Sequence, residues 1–157
     1  MIGDVPSLQV GRVNPKWKVA IVRSVWHRDC TDALVSDARK ALVEMGIKIN
    51  NILEIETPGS FEVPLFARYA LLKKRVDGVI ALGVVLEGET FHARLIAQET
   101  ARGLMQLQLD TGKPVVFEVL YVRRIEDARA RSIGKGAKGP LAAQTLLSSL
   151  AKIAELR

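Results

Sequence analysis

Four short apolar runs, each followed by a stretch of helical periodicity, constrain this chain more than any other feature. The runs are 18–24 (KVAIVRS), 48–56 (KINNILEIE), 77–83 (DGVIALG) and 113–120 (KPVVFEVL). Between the first two, 29–45 carries Ala33, Leu34, Ala38, Ala41, Leu42 and Met45 at helix spacing, and Gly46 supplies a stop. The turn Thr57-Pro58-Gly59-Ser60 leads into a second helix expected over 61–74. A long third helix is expected over 90–109. Two more, over 124–131 and 140–156, follow the last run, with the loop 133–139 between them. Strands and helices in this alternation predict a parallel sheet covered on both faces. Right-handed crossovers make it an α/β three-layer αβα sandwich with a central four-stranded parallel sheet. Ligands of such sheets bind beyond the carboxyl ends of the strands. The loops after Ser24, Glu56, Gly83 and Leu120 are therefore where chemistry is to be sought.

Length and composition narrow the classes of function. A chain of 157 residues suits one domain. The expected organisation is a polar, loosely held arm over 1–16, with Pro6, Gly11 and Pro15, and a single domain over 17–157. Cys30 is the sole cysteine, which excludes an internal disulfide framework and a multi-Cys zinc site. No His, Asp and Glu residues fall at metal-ligand spacing, so no metal is expected. Neither a membrane-spanning run nor the apolar region of a secretory signal is present, which makes the cytoplasm the expected compartment. The net charge of +6 would suit nucleic acid, an anionic surface or a phosphorylated small molecule. Basic residues gather late, at Lys113, Arg123, Arg124, Arg129, Arg131, Lys135 and Lys138, without the interleaved rings of a single-strand groove. A discrete anion site or a solvated face fits them better than a nucleic-acid channel.

Each strand end offers candidates. After the first run, Trp26 can either stack on a planar heterocycle or pack under the first helix, and position does not choose between them. His27 reads as an exposed helix-entry residue, and Cys30 has no evident base partner. After the second, a helix beginning near Ser60 offers free N–H groups to a polar ligand, and Glu62 can accept hydrogen bonds from hydroxyls. The plainer reading of Glu62 is a carboxylate that favours the positive helix end. After the third, Gly88 permits an unusual turn, Thr90 can cap the next helix, and the helix start is a phosphate site by its exposed amides. The glycine patterns of mononucleotide and dinucleotide loops are absent. His92 lies in the first helical turn, where an imidazole held neutral can take a proton. After the fourth, arginine forks suit phosphate oxygens, but spacing does not select among Arg123, Arg124, Arg129 and Arg131.

Taken in order, these segments resemble the lumazine synthase family. The likeness runs from about Trp17 to the C-terminus. Its strongest pieces are 57–64 (TPGSFEVP), close to the family's V-P-G-[AS]-[FW]-E-[IL]-P, and 81–92 (ALGVVLEGETFH), close to its [AI]-[IL]-G-x-V-I-x-G-x-T-x-H. Gly103-Leu104, 113–117 (KPVVF) and 125–131 (IEDARAR) continue the match in order. The resemblance implies a flavodoxin-like fold, with an N-terminal strand available to a neighbouring subunit's sheet. It also implies riboflavin biosynthesis: condensation of 5-amino-6-(D-ribitylamino)uracil with 3,4-dihydroxy-2-butanone 4-phosphate to 6,7-dimethyl-8-ribityllumazine, phosphate and water. No cofactor or metal enters that reaction. The implied partners are small-molecule substrates and further copies of the chain, as a pentamer, a multiple of pentamers or an icosahedral shell, with active sites at subunit interfaces. Neither nucleic acid nor membrane is implied.

By position, His92 is similar to the family's proton-transfer histidine and Arg131 to its phosphate-binding arginine. Gly88, Glu89 and Thr90 fall at the phosphate cradle, and Trp26 at the aromatic that stacks on the pyrimidine. Ser60, Phe61 and Glu62 fall where the ribityl chain is held, Val85 and Leu86 where backbone reads the heterocycle. Phe117 and Lys138 match residues supplied by the adjacent subunit. The chain also departs from the pattern. Ala93 and Arg94 follow His92 in place of an aromatic and an aspartate, and Glu87 replaces a common arginine. Tyr121, Arg123 and Arg124 replace a threonine-rich stretch. The loop after Arg131 is slightly shorter, with Ala137 in place of asparagine. These departures motivate a second reading, a catalytically weakened flavin- or lumazine-binding or shell-forming relative. A basic nucleic-acid module, the third, rests on net charge alone.

Overall fold

A computed structural model describes residues 7–157. Its sheet has four parallel strands in the order β2-β1-β3-β4: β1 Val19–Ser24, β2 Ile52–Thr57, β3 Gly78–Leu86 and β4 Val115–Val122. The helices are α1 Arg28–Glu44, α2 Val63–Leu72, α3 His92–Thr111, α4 Ile125–Ser132 and α5 Gly139–Leu156. Alternation along each strand divides the core. Val19 and Ile21 of β1 face one apolar cluster, with Leu34, Ala38 and Leu42 of α1 and Leu146, Leu147 and Leu150 of α5. Ala20 and Val22 face the other, with Val63, Ala67 and Leu71 of α2 and Leu104 and Leu107 of α3. The expected three-layer α/β sandwich with its central parallel sheet is the observed architecture.

Three expectations need correction. The second strand starts later than the alternation in 48–56 suggests: Ile49–Asn51 form a 3₁₀ turn, and β2 begins at Ile52. The third strand runs on to Leu86, because β4 pairs with it through Leu86↔Val122. The arm over 1–16 is not loosely held where it is described. Val10 and Val13 pack against the α1–α5 core, and a Cβ on Gly11 would lie 3.1 Å from that of Ala151. Its first six residues lie outside the described residues, and 7–16 contain no strand.

The register carries the functional consequence. Pairing between β1 and β3 is recorded up to Arg23↔Leu82, whereas pairing between β3 and β4 continues to Leu86↔Val122. The end of β3 therefore projects past its neighbour. Val79 N–H donates to Pro114 O, just before β4, and Glu87 N–H to Val122 O at its end. By strand alternation, Val85 turns its backbone polar groups into the β4 ladder, and Leu86 turns its own toward the gap beyond β1.

Candidate active site

The loops after β1 and β2 are tied to one another. Val25 N–H donates to Thr57 O (3.1 Å), and Trp26 N–H to Ser24 Oγ (3.2 Å). Trp26 is 63% exposed, so it does not pack under α1. His27 takes a left-handed backbone, φ 55°, at the N-cap of α1, where its carbonyl accepts from Cys30 N–H and Thr31 N–H (both 3.0 Å). It is half-buried rather than exposed. A non-glycine residue held in this region marks a turn that its surroundings over-determine. Cys30 is fully buried, and burial raises its thiol pKa. A reactive thiolate is therefore not built here.

Gly59 and Gly83 are the points at which the loops meet. A Cβ on Gly59 would come within 3.0 Å of Glu62 Oε2 and 3.8 Å of Trp26 Nε1. The indole and the carboxylate thus flank the same glycine. A Cβ on Gly83 would lie 2.6 Å from Ser60 Oγ and 3.6 Å from Ser24 Cβ. Only glycine lets the Ser60 hydroxyl rest against β3. Ser60 is buried, and its carbonyl accepts from Thr100 Oγ1 (3.1 Å), which fastens this turn to α3. Ser60–Glu62 form a 3₁₀ turn that enters α2, with Phe61 exposed and Glu62 half-buried. Glu62 makes no side-chain cap on α2.

Glu87 to His92 follow the projecting end of β3 and are exposed throughout. Gly88 was expected to permit an unusual turn. It is not among the residues with positive φ, and a Cβ there would meet nothing within 4 Å. Its contribution is an uncovered backbone, not a special conformation. Thr90 Oγ1 accepts from His92 N–H (3.4 Å), but the N-cap of α3 is Phe91, one residue later than expected. No acidic residue stands in the first turn of α3, so its amides are open to an anion.

The far side of β4 is different. A cavity of about 390 Å³ runs along this edge strand, lined by Phe117 through Arg123 with Asp127 and Arg131. The structure separates the arginines that spacing could not. Arg123 pairs with Glu87 (3.4 Å), Arg124 with Asp127 (3.3 Å) and Arg129 with Asp29 (3.0 Å). Among the described residues Arg131 has no carboxylate within 4.0 Å. Its Nη1 donates to Asp127 O (2.9 Å), and its carbonyl accepts from Lys138 N–H (2.8 Å). Phe117 is exposed on the same edge, and Lys138 is half-buried at the start of α5. With three arginines each spent on a carboxylate, the late basic cluster is no continuous cationic stripe.

The candidates thus form two groups. Trp26, Ser60, Phe61, Glu62, Leu86 and the 88–92 segment lie at the strand ends. Phe117, Arg131 and Lys138 lie along β4 and its following helices. The cavity on β4 is lined by no residue of the loops after β1, β2 or β3. Sequence reasoning missed two residues. Glu118 is half-buried in the β4 cavity, where burial pushes its carboxyl up to about 7 against the pull of Lys138. Arg23 is buried in β1. The available signal in both cases was a charge inside an apolar run.

Comparison with known proteins gives a consistent result. The family profile described as 6,7-dimethyl-8-ribityllumazine synthase matches residues 16–154. A protein of that name from Xanthomonas oryzae pv. oryzae is 41% identical over 138 residues, covering 85% of this chain and 90% of its own length. One from Xanthomonas euvesicatoria pv. vesicatoria is 41% identical over 135 residues, covering 83% and 88%. One from Stenotrophomonas maltophilia is 39% identical over 140 residues, covering 87% and 90%.

Proposed function

The chain belongs to the 6,7-dimethyl-8-ribityllumazine synthase family, and from that membership we infer that it is a transferase of riboflavin biosynthesis. It condenses 5-amino-6-(D-ribitylamino)uracil with 3,4-dihydroxy-2-butanone 4-phosphate. The aromatic amine adds to the ketone and water leaves to give a Schiff base. Phosphate is then eliminated, and the ribitylamino nitrogen closes the second ring with loss of a further water. The catalytic domain is 17–157, and 1–16 is its arm.

In this reading Trp26 is the platform for the pyrimidine, beside a backbone edge at Leu86 that can exchange hydrogen bonds with the ring. Ser60, Phe61 and Glu62 hold the ribityl chain, with the carboxylate accepting from its hydroxyls. The open amides of 88–90 and the guanidinium of Arg131 hold the phosphate and stabilise it as it leaves. His92 moves protons between the amine, the carbinol and the departing groups. Proximity contributes most: holding two reactants in register supplies on the order of 7–11 kcal/mol in ideal cases. The observation that carries the reading is the junction at Gly59, where an exposed indole and a half-buried carboxylate flank one glycine.

Phe117, Arg131 and Lys138 reach that junction from another copy, so the site is shared between subunits. Support comes from the open β4 edge and from exposed apolar rows on the α2–α3 layer. Leu65, Tyr69 and Leu72 stand at i, i+4 and i+7 of α2, and Phe91 and Leu95 open α3. Faces of this kind are covered in stable assemblies. We assign a homopentamer or a multiple of pentamers, up to an icosahedral shell, in the cytoplasm. No helix of the described residues is long and apolar enough to cross a membrane. Mixing the two substrates with the purified protein should produce the lumazine chromophore, and sedimentation should give a multiple of five chains. Tight lumazine binding without turnover would overturn the enzymatic reading.

A further inference from the structure

The charge buried in β1 has a place in this site. Arg23 is 3% exposed on the α1 face of the sheet. Its Nη2 donates to Thr31 Oγ1 (2.7 Å) and to the Asp32 carboxylate, and its Nη1 lies 3.6 Å from both Glu54 Oε1 and Glu56 Oε1. Two further arginines close the set. Arg28 donates to both oxygens of Glu56 (3.3 and 3.1 Å), and Arg39 to Glu54 (2.8 Å). Three guanidinium groups and three carboxylates therefore join β1, β2 and α1. Arg23 Nε is buried with no hydrogen-bond partner among the described residues. Burying a guanidinium this way is a poor route to stability, since well-packed apolar side chains do as well or better.

What the lattice encloses is the turn that carries Trp26. Thr31 Oγ1 accepts from Arg23 and donates onward to His27 O (3.4 Å), the carbonyl of the left-handed residue next to the indole. The same limb is held a second time through Arg28 to Glu56 near the end of β2, and the opposite limb by Val25 N–H to Thr57 O. Trp26 itself is mostly exposed, so packing does little to fix its ring. Its direction is set by the backbone on either side.

We propose that Arg23 acting through Thr31, and Glu56 acting through Arg28, are positioning residues that aim Trp26 at the aromatic ring of the aminopyrimidine substrate. The proposal rests on Trp26 being the ring platform, and the test separates the two. Arg23→Met removes the partner of Asp32 and one of the two arginines at Glu54 and at Glu56, which alters the whole network at once, so the informative variants are Thr31→Val and Glu56→Gln. Trp26→Ala serves as the reference for loss of the platform. Each variant should raise KM for the aminopyrimidine by about tenfold, a fraction of what a 1 Å misplacement can cost. KM for the butanone phosphate and kcat should stay close to wild type. With Trp17→Phe as background, Trp26 is the sole tryptophan, and its fluorescence anisotropy should fall in both variants. A shift of both KM values in parallel, or no shift while Trp26→Ala raises the pyrimidine KM, overturns the positioning role alone. An unchanged pyrimidine KM in Trp26→Ala overturns the platform together with it.

Discussion

The strand-end loops and the β4 edge are built on opposite plans. At the strand ends, Trp26, Ser60 and Glu62 are brought together by backbone hydrogen bonds between loops and by glycines that admit close approach. Their geometry is complete within one chain. Along β4, an exposed ring, an arginine that pairs with no carboxylate among the described residues and a half-buried carboxyl line a cavity open to the outside. β4 is also an edge strand of the sheet, with no strand paired to its outer side among the described residues. On the proposed function, the first group is the preformed half of the site and the second is the half that a further copy completes. In the proposed shared site, positioning of the ring and the polyol belongs to one copy, and the phosphate is held from both sides, by the amides of 88–90 and by Arg131 of the neighbour.

The largest expected effect separates the halves directly. His92→Ala should lower kcat by about 10²–10⁴-fold, the usual contribution of a positioned proton-transfer group. Arg131→Ala should mainly raise KM for the phosphorylated substrate, by on the order of 10–100-fold for a lost charge-assisted contact. Each variant alone is impaired in every site. Co-assembly of the two by joint refolding should restore a fraction of wild-type turnover, because some interfaces then pair an intact His92 with an intact Arg131. An inactive mixed assembly, measured by lumazine formation, would place both residues in the same copy's half and break the comparison.

The two halves were not equally legible. The apolar runs are long and continuous, so they place Trp26, Ser60, Glu62 and His92 at strand ends, but position alone leaves Trp26 between stacking and packing and favours the plain helix-end reading of Glu62. Arg131 was one of four arginines with nothing to distinguish it. The distinction lies in which of them finds a carboxylate, and Asp29, the partner of Arg129, is 100 residues away in the chain. β2 was begun too early because 48–51 alternates like a strand, whereas Asn50 and Asn51 favour a turn. Glu118 and Arg23 stayed hidden for a related reason. Periodicity treats a charge in an apolar run as an end or a surface position, and burial depends on the neighbours that the fold supplies.

Glu118 sharpens the contrast through pH. Its folded pKa is about 7, raised by burial, above the ordinary carboxylate value of the unfolded chain. Between those values the folded state holds a proton that the unfolded state has lost, so stability falls as pH rises through the window. Well above pH 7 the full cost is present, on the order of 3 kcal/mol. Glu118→Gln carries no charge at any pH. Its Tm should match wild type near pH 4.5 and exceed it increasingly up to pH 8. A neighbour seated on β4 would exclude more water and widen the gap, so the effect should be greater in the assembled protein than in dissociated chains. A Tm difference that is constant with pH would remove Glu118 from the buried edge.

The smallest effect concerns an exposed ion pair that touches both halves. Arg123, just beyond β4, pairs with Glu87, just beyond β3, at 3.4 Å, and the arginine side chain is 88% exposed. Water and salt screen such a pair, and two long side chains must be ordered to form it, so its net worth is about 0–1 kcal/mol. The loops it joins are already held by the backbone bond from Glu87 N–H to Val122 O (2.8 Å). Arg123→Ala should therefore change Tm by no more than a degree or two at physiological salt, on the scale of a few tenths of a kcal/mol. It should leave both KM values near wild type, in contrast to Arg131→Ala. If Arg123→Ala instead raises KM for the phosphorylated substrate as much as Arg131→Ala does, the anion clamp involves both arginines. Glu87 would then be holding one of them in reserve, and the β4 half would be better organised in the single chain than its open edge implies.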